Sequence, residues 1–312
     1  MKSKDRKIPI EKSDSMPVLV SVAMIAYNVD RYISEAIESV LMQKTKFPFE
    51  LIIGEDFSTD NTLQIVLEYQ KKYPKIIRVL VREKNLGLTP NSVDTQNHCL
   101  GKYIALLDGD DYWTDEHKLQ KQIDVLENHS EYSGCAHQSL IIKGSREFPV
   151  RLFGMEEDAD FSIPDTISHR KFHTSSLVYR KEYWDKTGGI PLNISSNERA
   201  IYPMLAIFGN IRYLKENMCV YRLAPTGLNS RLTAKELTTD LNMLPWLKRI
   251  DDSFPICKFR SFIHLCIFTY PKRVPLLLLF KHFFLFFLFS FSYFPKNFGD
   301  IKHGITLFLI KI

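Results

Sequence analysis

The chain has few cysteines. Five stand at 99, 135, 219, 257 and 266, an odd number at wide spacing with no CxxC pair and no run of zinc-ligand spacing. That excludes a disulfide scaffold or a structural zinc module and leads us to expect reduced thiols in a cytoplasmic setting. The opening MKSKDRKIPIEKSDS mixes charges and lacks the apolar stretch of a secretory signal, so residues 1–16 are expected to form a flexible, solvated tail. No GxGxxG turn follows the first apolar run, where the chain reads IAYNVD, which sets aside a dinucleotide-dependent oxidoreductase. No internal repeat is present. Basic excess is absent from most of the chain: residues 1–255 carry a formal charge of −2 and residues 256–312 one of +7. A catalytic domain that binds nucleic acid is therefore not expected, and the charge points instead to an anionic surface at the C-terminal end.

What is present is periodicity. With 312 residues, 45% of them hydrophobic, there is material for one large α/β domain or two small ones. Apolar runs of strand length at 18–26, 50–54, 76–81 and 103–107 alternate with amphipathic stretches. In the first such stretch Ile33, Ile37 and Leu41 recur every four residues behind Asn28 and Asp30 as possible caps; a second begins near Ser58, and a third covers roughly 91–99. Near-continuous apolar strands separated by helices imply a mostly parallel sheet covered on both faces. Further on, GCAHQSLII and HTSSLVYR read as strands, 197–208 as a helix, and IRYL and MCVYRL as two short strands.

In such a sheet, ligands bind beyond the carboxyl ends of the strands. YNVD, EDFSTD, EKNLG and DGDDYW follow the four strands in turn, so several acid-bearing loops meet on one rim. Clustered carboxylates repel one another unless a cation or hydrogen-bond donors sit among them. Mg²⁺ or Mn²⁺ suits oxygen ligands and needs only one or two protein carboxylates, which Asp108 and Asp110 can supply from one side of an extended segment, with Asp111 pointing away to cap or brace. Each loop also has a plain reading: Asp-Gly-Asp-Asp is an ordinary turn before a helix, and Ser58 or Asp60 can cap without binding anything.

VSVAMIAYN, LIIGEDFSTDNT, NLG and GKYIALLDGDDYW, in that order and spacing, resemble the nucleotide-binding half of family-2 glycosyltransferases with the GT-A fold, and the likeness runs from about 18 to 230. It implies a Rossmann-like, mostly parallel central sheet flanked by helices, with a nucleotide-binding half at 17–113 and an acceptor half at 114–230. Donor contacts are implied at Ala26, Tyr27, Asn28, Asp56, Asn85, Asp108, Gly109 and Arg222, with Tyr27 against the base, Asp56 on its imide hydrogen and Asp108 near the ribose. Asp110, with Asp108, is implied as ligand of Mn²⁺ or Mg²⁺ bound to the diphosphate. SNERAIYPMLAIFGNIRYLKENMCVYR resembles the acceptor-side block, with Glu198 as general base of an inverting transfer or, plainly, a first-turn glutamate. Trp113, His173 and Thr174 are weaker acceptor-side candidates, whereas Trp184 and Trp246 read as structural.

The sequence departs from the family at three places. Ile25-Ala26 stands where Pro-Thr is common, Glu55 replaces an aspartate, and Ala224 stands where many relatives have a histidine, which would give Arg222 more of the phosphate charge. The resemblance implies an inverting transfer of sugar from a nucleotide-sugar, UDP-linked by preference, to a glycan or lipid-linked acceptor of the cell envelope. A degenerate relative that binds without turnover is the alternative. Residues 231–312 are expected to be helical and membrane-associating. The run VPLLLLFKHFFLFFLFSFSYF (274–294) is read as an interfacial helix pair on the cytoplasmic face, as one transmembrane segment, or as a core or oligomer-interface helix.

Overall fold

The computed structural model describes residues 17–143, 149–223, 233–269, 274–291, 301–302 and 304–306. Strands β1 (Val20–Ala26), β2 (Phe49–Glu55), β3 (Ile77–Val81) and β4 (Tyr103–Asp108) alternate with helices α1 (Ile33–Leu41), α2 (Thr62–Lys72) and α3 (Leu88–Asn97). All four strands are parallel, in the spatial order β3-β2-β1-β4. Alternate residues of one strand enter opposite cores. Val20, Val22 and Met24 pack with Ile33, Ile37 and Val40 of α1, whereas Ala23, Ile52 and Ile104 face Val93 of α3 and the helices that come later. This double burial is why the strands read as continuous apolar runs.

Beyond β4 the sheet becomes mixed. The next elements are β5 (Tyr112–Trp113), α4 (Lys118–Asn128), β6 (Tyr132–Lys143), β7 (Pro149–Phe153), β8 (Ala159–Phe161), α5 (Ile163–Thr166), β9 (Val178–Arg180), α6 (Lys181–Thr187), α7 (Asn197–Phe208) and β10 (Asn210–Leu223). Strand β9 runs antiparallel to both β4 and β6, and β10 is parallel to β6. Two expectations change here. IRYL and MCVYRL form the single strand β10, whose register against β6 shifts between Leu214 and Cys219, so a bulge absorbs the polar KEN stretch. HTSSLVYR is only partly strand: 174–176 make a 3-10 turn before β9.

The core continues past the expected junction at 230/231; residues 224–232, Ala224 among them, lie outside the described ones. Helices α8 (Ala234–Thr239), α9 (Leu244–Ile250) and α10 (Ile256–Thr269) bury Leu237, Trp246, Phe259 and Ile263 in the same cluster as Trp184 and α7. Helix α11 (Leu276–Phe291) packs Leu279, His282, Phe286 and Ser290 inward, with Ser290 hydrogen-bonded to Ser261 of α10 at 2.6 Å. Its other face leaves Leu277, Phe280, Phe284, Leu288 and Phe291 exposed. Sixteen residues reach about 24 Å at about 1.5 Å per residue. Among the described residues, no helix is long and apolar enough to cross a membrane.

Candidate active site

The first two loops are stitched into one wall. Asn28, at φ 52°, does not cap α1 as expected; its side chain instead accepts from the Thr59 amide at 2.8 Å, while its own amide donates to Ser58. The Asp30 amide donates to Asp60, which also accepts from the Thr62 amide, while the N-cap position of α2 is Asn61. Ala26 is buried at the end of β1, and its carbonyl accepts from the Asp56 amide at 2.9 Å. That bond sets Tyr27 and Phe57, both about half exposed, on adjacent loops. Phe57 has φ 61°, a conformation a bulky side chain adopts only at a cost. The sequence reading missed it, because an aromatic residue within an acidic loop carries no periodic signal.

Asp56 is buried, and its two oxygens accept the amides of Leu86 (2.7 Å) and Gly87 (2.9 Å). Burial raises its pKa against the pull of those amides. The turn depends on Gly87, whose φ of 85° lies in the left-handed region. Asn85 donates to the Asp56 carbonyl at 3.1 Å. A carboxylate has about four lone-pair sites, so Asp56 keeps acceptor capacity toward a ligand.

DGDD leaves the tip of β4 over β1. The Gly109 amide donates to the Ile25 carbonyl, and a Cβ on Gly109 would stand 2.9 Å from that oxygen, so glycine is required for the close pass. Asp108 and Asp110 are partly exposed, whereas Asp111 turns inward as the alternation predicts. Asp111 accepts from Ser175 Oγ at 2.6 Å and from the Arg222 amide at 2.8 Å. The Arg222 guanidinium donates to the Asp110 carbonyl, pairs with Glu35 at 2.8 Å and lies 4.4 Å from the Tyr32 ring centre. It is buried and holds the loop from behind.

Burial, with Asp110 and Glu198 nearby, pushes Asp108 up to about 7 against the pull of Arg170. Burial also raises Asp110, and it raises Asp111 further with help from Asp110 and Asp108. Such mutual repulsion is what a divalent cation would relieve. Among the described residues, one acid-histidine group places a ligand atom of each member within 4.8 Å of the others: Asp108, Asp111 and His173. Asp111 and His173 are buried and already hydrogen-bonded, so the half-open Asp108 and Asp110 fit a hard ion that keeps ligand oxygens in its shell.

Glu198 lies in the first turn of α7, as expected, and lines a narrow cleft with Arg170, Lys171, Phe172, Tyr202 and Phe262. Its charge contributes to raising Asp108. Asp240 sets the start of α7: one oxygen accepts the amides of Ser195 and Ser196, and the other pairs with Arg199 at 2.6 Å, fully out of solvent. Nothing in the sequence pointed to Asp240, 42 residues from Glu198.

Two weaker candidates are corrected. Trp113 is 1% exposed, and its indole donates to the Ser175 carbonyl at 2.8 Å, so it braces the 3-10 turn and cannot stack on a sugar. His173 is buried against Tyr221, with ring centres 3.9 Å apart; burial and then Arg170 hold its pKa well below the usual value. Thr174 Oγ1 lies 3.4 Å from the hydroxyl of Tyr202.

Fold and rim together define a GT-A architecture. S. aureus TarS 1-349, solved with UDP-GlcNAc, matches with a TM-score of 0.64 at 18% identity over 79% of this chain and 72% of that one. Mannosyltransferase PcManGT from Pyrobaculum calidifontis, solved with GDP-Man and Mn²⁺, matches at 0.54 and 15% identity over 96% and 90%. Residues 21–187 fit the model of glycosyl transferase family 2, and the chain belongs to that family. An uncharacterized Mycobacterium bovis protein is 36% identical over 213 residues, 67% of this chain and 60% of its own length. The match thus spans well under two thirds of that relative. A Bacillus subtilis protein, provisionally named teichuronic acid biosynthesis glycosyltransferase TuaG, is 37% identical over 108 residues, 35% of this chain and 42% of its own.

Proposed function

We propose that the protein is an inverting, metal-dependent glycosyltransferase that moves a sugar from a nucleoside-diphosphate sugar to a hydroxyl of a glycan or lipid-linked acceptor in envelope polysaccharide synthesis. The observation that carries this reading is the partly exposed pair Asp108 and Asp110 at the tip of β4, on a loop held by the buried Asp111. Tyr27 and Phe57 offer faces for the base, and Asp56 offers its acceptor to the imide. Asp108 and Asp110 would hold Mn²⁺ or Mg²⁺, which neutralises charge growing on the departing diphosphate. Glu198 takes the proton of the acceptor hydroxyl as that oxygen bonds to the anomeric carbon and the carbon–diphosphate bond breaks on the opposite face.

The donor of TarS supports a UDP-sugar, and the name of TuaG supports an envelope glycan. The bare apolar face of α11, within the segment that carries the basic excess, supports attachment to the cytoplasmic face of a membrane. UDP release measured with and without Mn²⁺, in the wild type, Asp110→Asn and Glu198→Gln, tests the reading. Metal-dependent release lost in both variants is expected. Equal, background-level release in every sample would favour a binding protein without turnover.

A further inference from the structure

The first turn of α7 is clamped from two distant parts of the fold, and neither clamp uses Glu198. From the first half of the sheet, Thr89 of α3 donates to Asn197 Oδ1 at 2.7 Å. From the C-terminal helices, Asp240 opens a 3-10 turn (Asp240–Met243) behind α8 and accepts the amides of Ser195 at 2.8 Å and Ser196 at 3.1 Å. Its second oxygen pairs with Arg199, whose guanidinium also donates to Ser196 Oγ at 2.7 Å. Ser196, Asn197, Arg199 and Asp240 are buried, which leaves Glu198 as the one half-exposed residue of 196–199. Burial would lower the pKa of Arg199, but Cys266, Asp240 and Glu198 carry it above the usual arginine value. The guanidinium therefore feels two acids, one buried and one half-exposed. A buried charge deprived of its partner is strongly unfavourable, and it turns to the anion that lies nearest.

We propose that Asp240 is a positioning residue for the transfer: by holding the Arg199 guanidinium inside the fold, it keeps the Glu198 carboxylate free for the acceptor hydroxyl. The inference rests on the reading of Glu198 as general base. It adds that the helical segment after residue 230 is a working part of the catalytic unit, since the side chain that keeps the base free comes from it. Charge separates this role from a purely structural one. Asp240→Asn retains an oxygen for the two amides and removes the charge, which leaves Arg199 uncompensated beside Glu198. Adding Arg199→Met takes the stray cation away again, and removal of both members of a buried ion pair is often close to neutral for stability.

Steady-state UDP release with Mn²⁺ is measured for the full-length wild type, Asp240→Asn, Arg199→Met and the double variant, with folded molecules counted by UDP binding. Asp240→Asn should lower kcat about tenfold or more with the donor KM within about twofold, because capture of the base removes part of what proton transfer supplies. The double variant should recover most of that loss. Arg199→Met, with no cation left to capture the base, should keep most of the wild-type rate whether or not Asp240→Asn folds. Wild-type kcat in Asp240→Asn, a double variant no faster than the single one, or a tenfold loss in Arg199→Met would overturn the proposal. A crystal structure of Asp240→Asn gives a readout without turnover: Glu198 turned onto Arg199 supports the proposal, and Glu198 in its wild-type position overturns it. Wild-type protein that releases no UDP counts against the transferase reading alone, because the structure of the variant still decides whether Asp240 keeps Glu198 free.

Discussion

The two halves of the sheet are built on opposite plans. From β1 to β4 every strand is parallel, every connection is a helix, and each loop is bonded to its neighbour in the fold, as Asp56 is to Ala26 and Leu86. From β5 to β10 directions mix, and the site is held by partners far apart in sequence: Arg222 to Asp111 and Glu35, Ser175 to Asp111, Asp240 to Arg199. The first half is thus tied together between neighbouring loops, and the second between partners far apart in sequence. Its geometry is more easily broken by substitutions remote from the reacting atoms.

The largest expected effect removes the chemistry and leaves both halves standing. Glu198→Gln should lower UDP release roughly a hundredfold to ten-thousandfold in kcat, with donor affinity little changed. The second breaks the long-range half. Arg222→Met removes the ion pair with Glu35 and the donor to the Asp110 carbonyl and should cost about 3–5 kcal/mol in urea unfolding, whereas a surface change in the first half, such as Lys71→Ala, should stay within about 0.5 kcal/mol. The third concerns metal. Asp108 is raised toward 7, so in the metal-free protein its proton favours the folded state at low pH, and that stability is lost as pH rises through about 7. Saturating Mn²⁺ should therefore raise Tm more at pH 8 than at pH 5.5, where it competes with that proton. At a hundred times Kd the gain is about 2.7 kcal/mol. Equal shifts at both pH values would remove Asp108 from the ligand set.

Smaller effects sharpen the contrast. Ser175→Ala leaves the buried Asp111 without one donor and should cost about 1–3 kcal/mol. Lys118, buried with its ammonium 3.9 Å from the Trp113 ring centre, is pushed down to about 7 by burial. The unfolded chain then binds more protons between 7 and the usual lysine value, so stability should rise with pH across that window, by at most about 1.4 kcal/mol per unit. Lys118→Met should flatten this slope in urea titrations at pH 7, 8 and 9.

Much of the first half was legible because its signals are local. Apolar runs gave β1 to β4 to within two residues at each end, and DGDD announced itself by its density of charge. Glu198 was legible through its block resemblance and its place at a helix start. Trp113 was misread because proximity to carboxylates in sequence says nothing about which way a ring turns once β5 pairs with β10. The merging of IRYL and MCVYRL depended on a bulge that only the parallel partner β6 dictates.

Sequence alone settled the order of β1 to β4 with their helices and the chemistry available at each loop, because side-chain period and turn residues are properties of neighbours along the chain. Tertiary structure decided which carboxylates face outward, which serve as braces, and that Asp240 seats the helix bearing Glu198. Burial, hydrogen-bond partners and the mutual repulsion of charges exist only between groups that folding brings together.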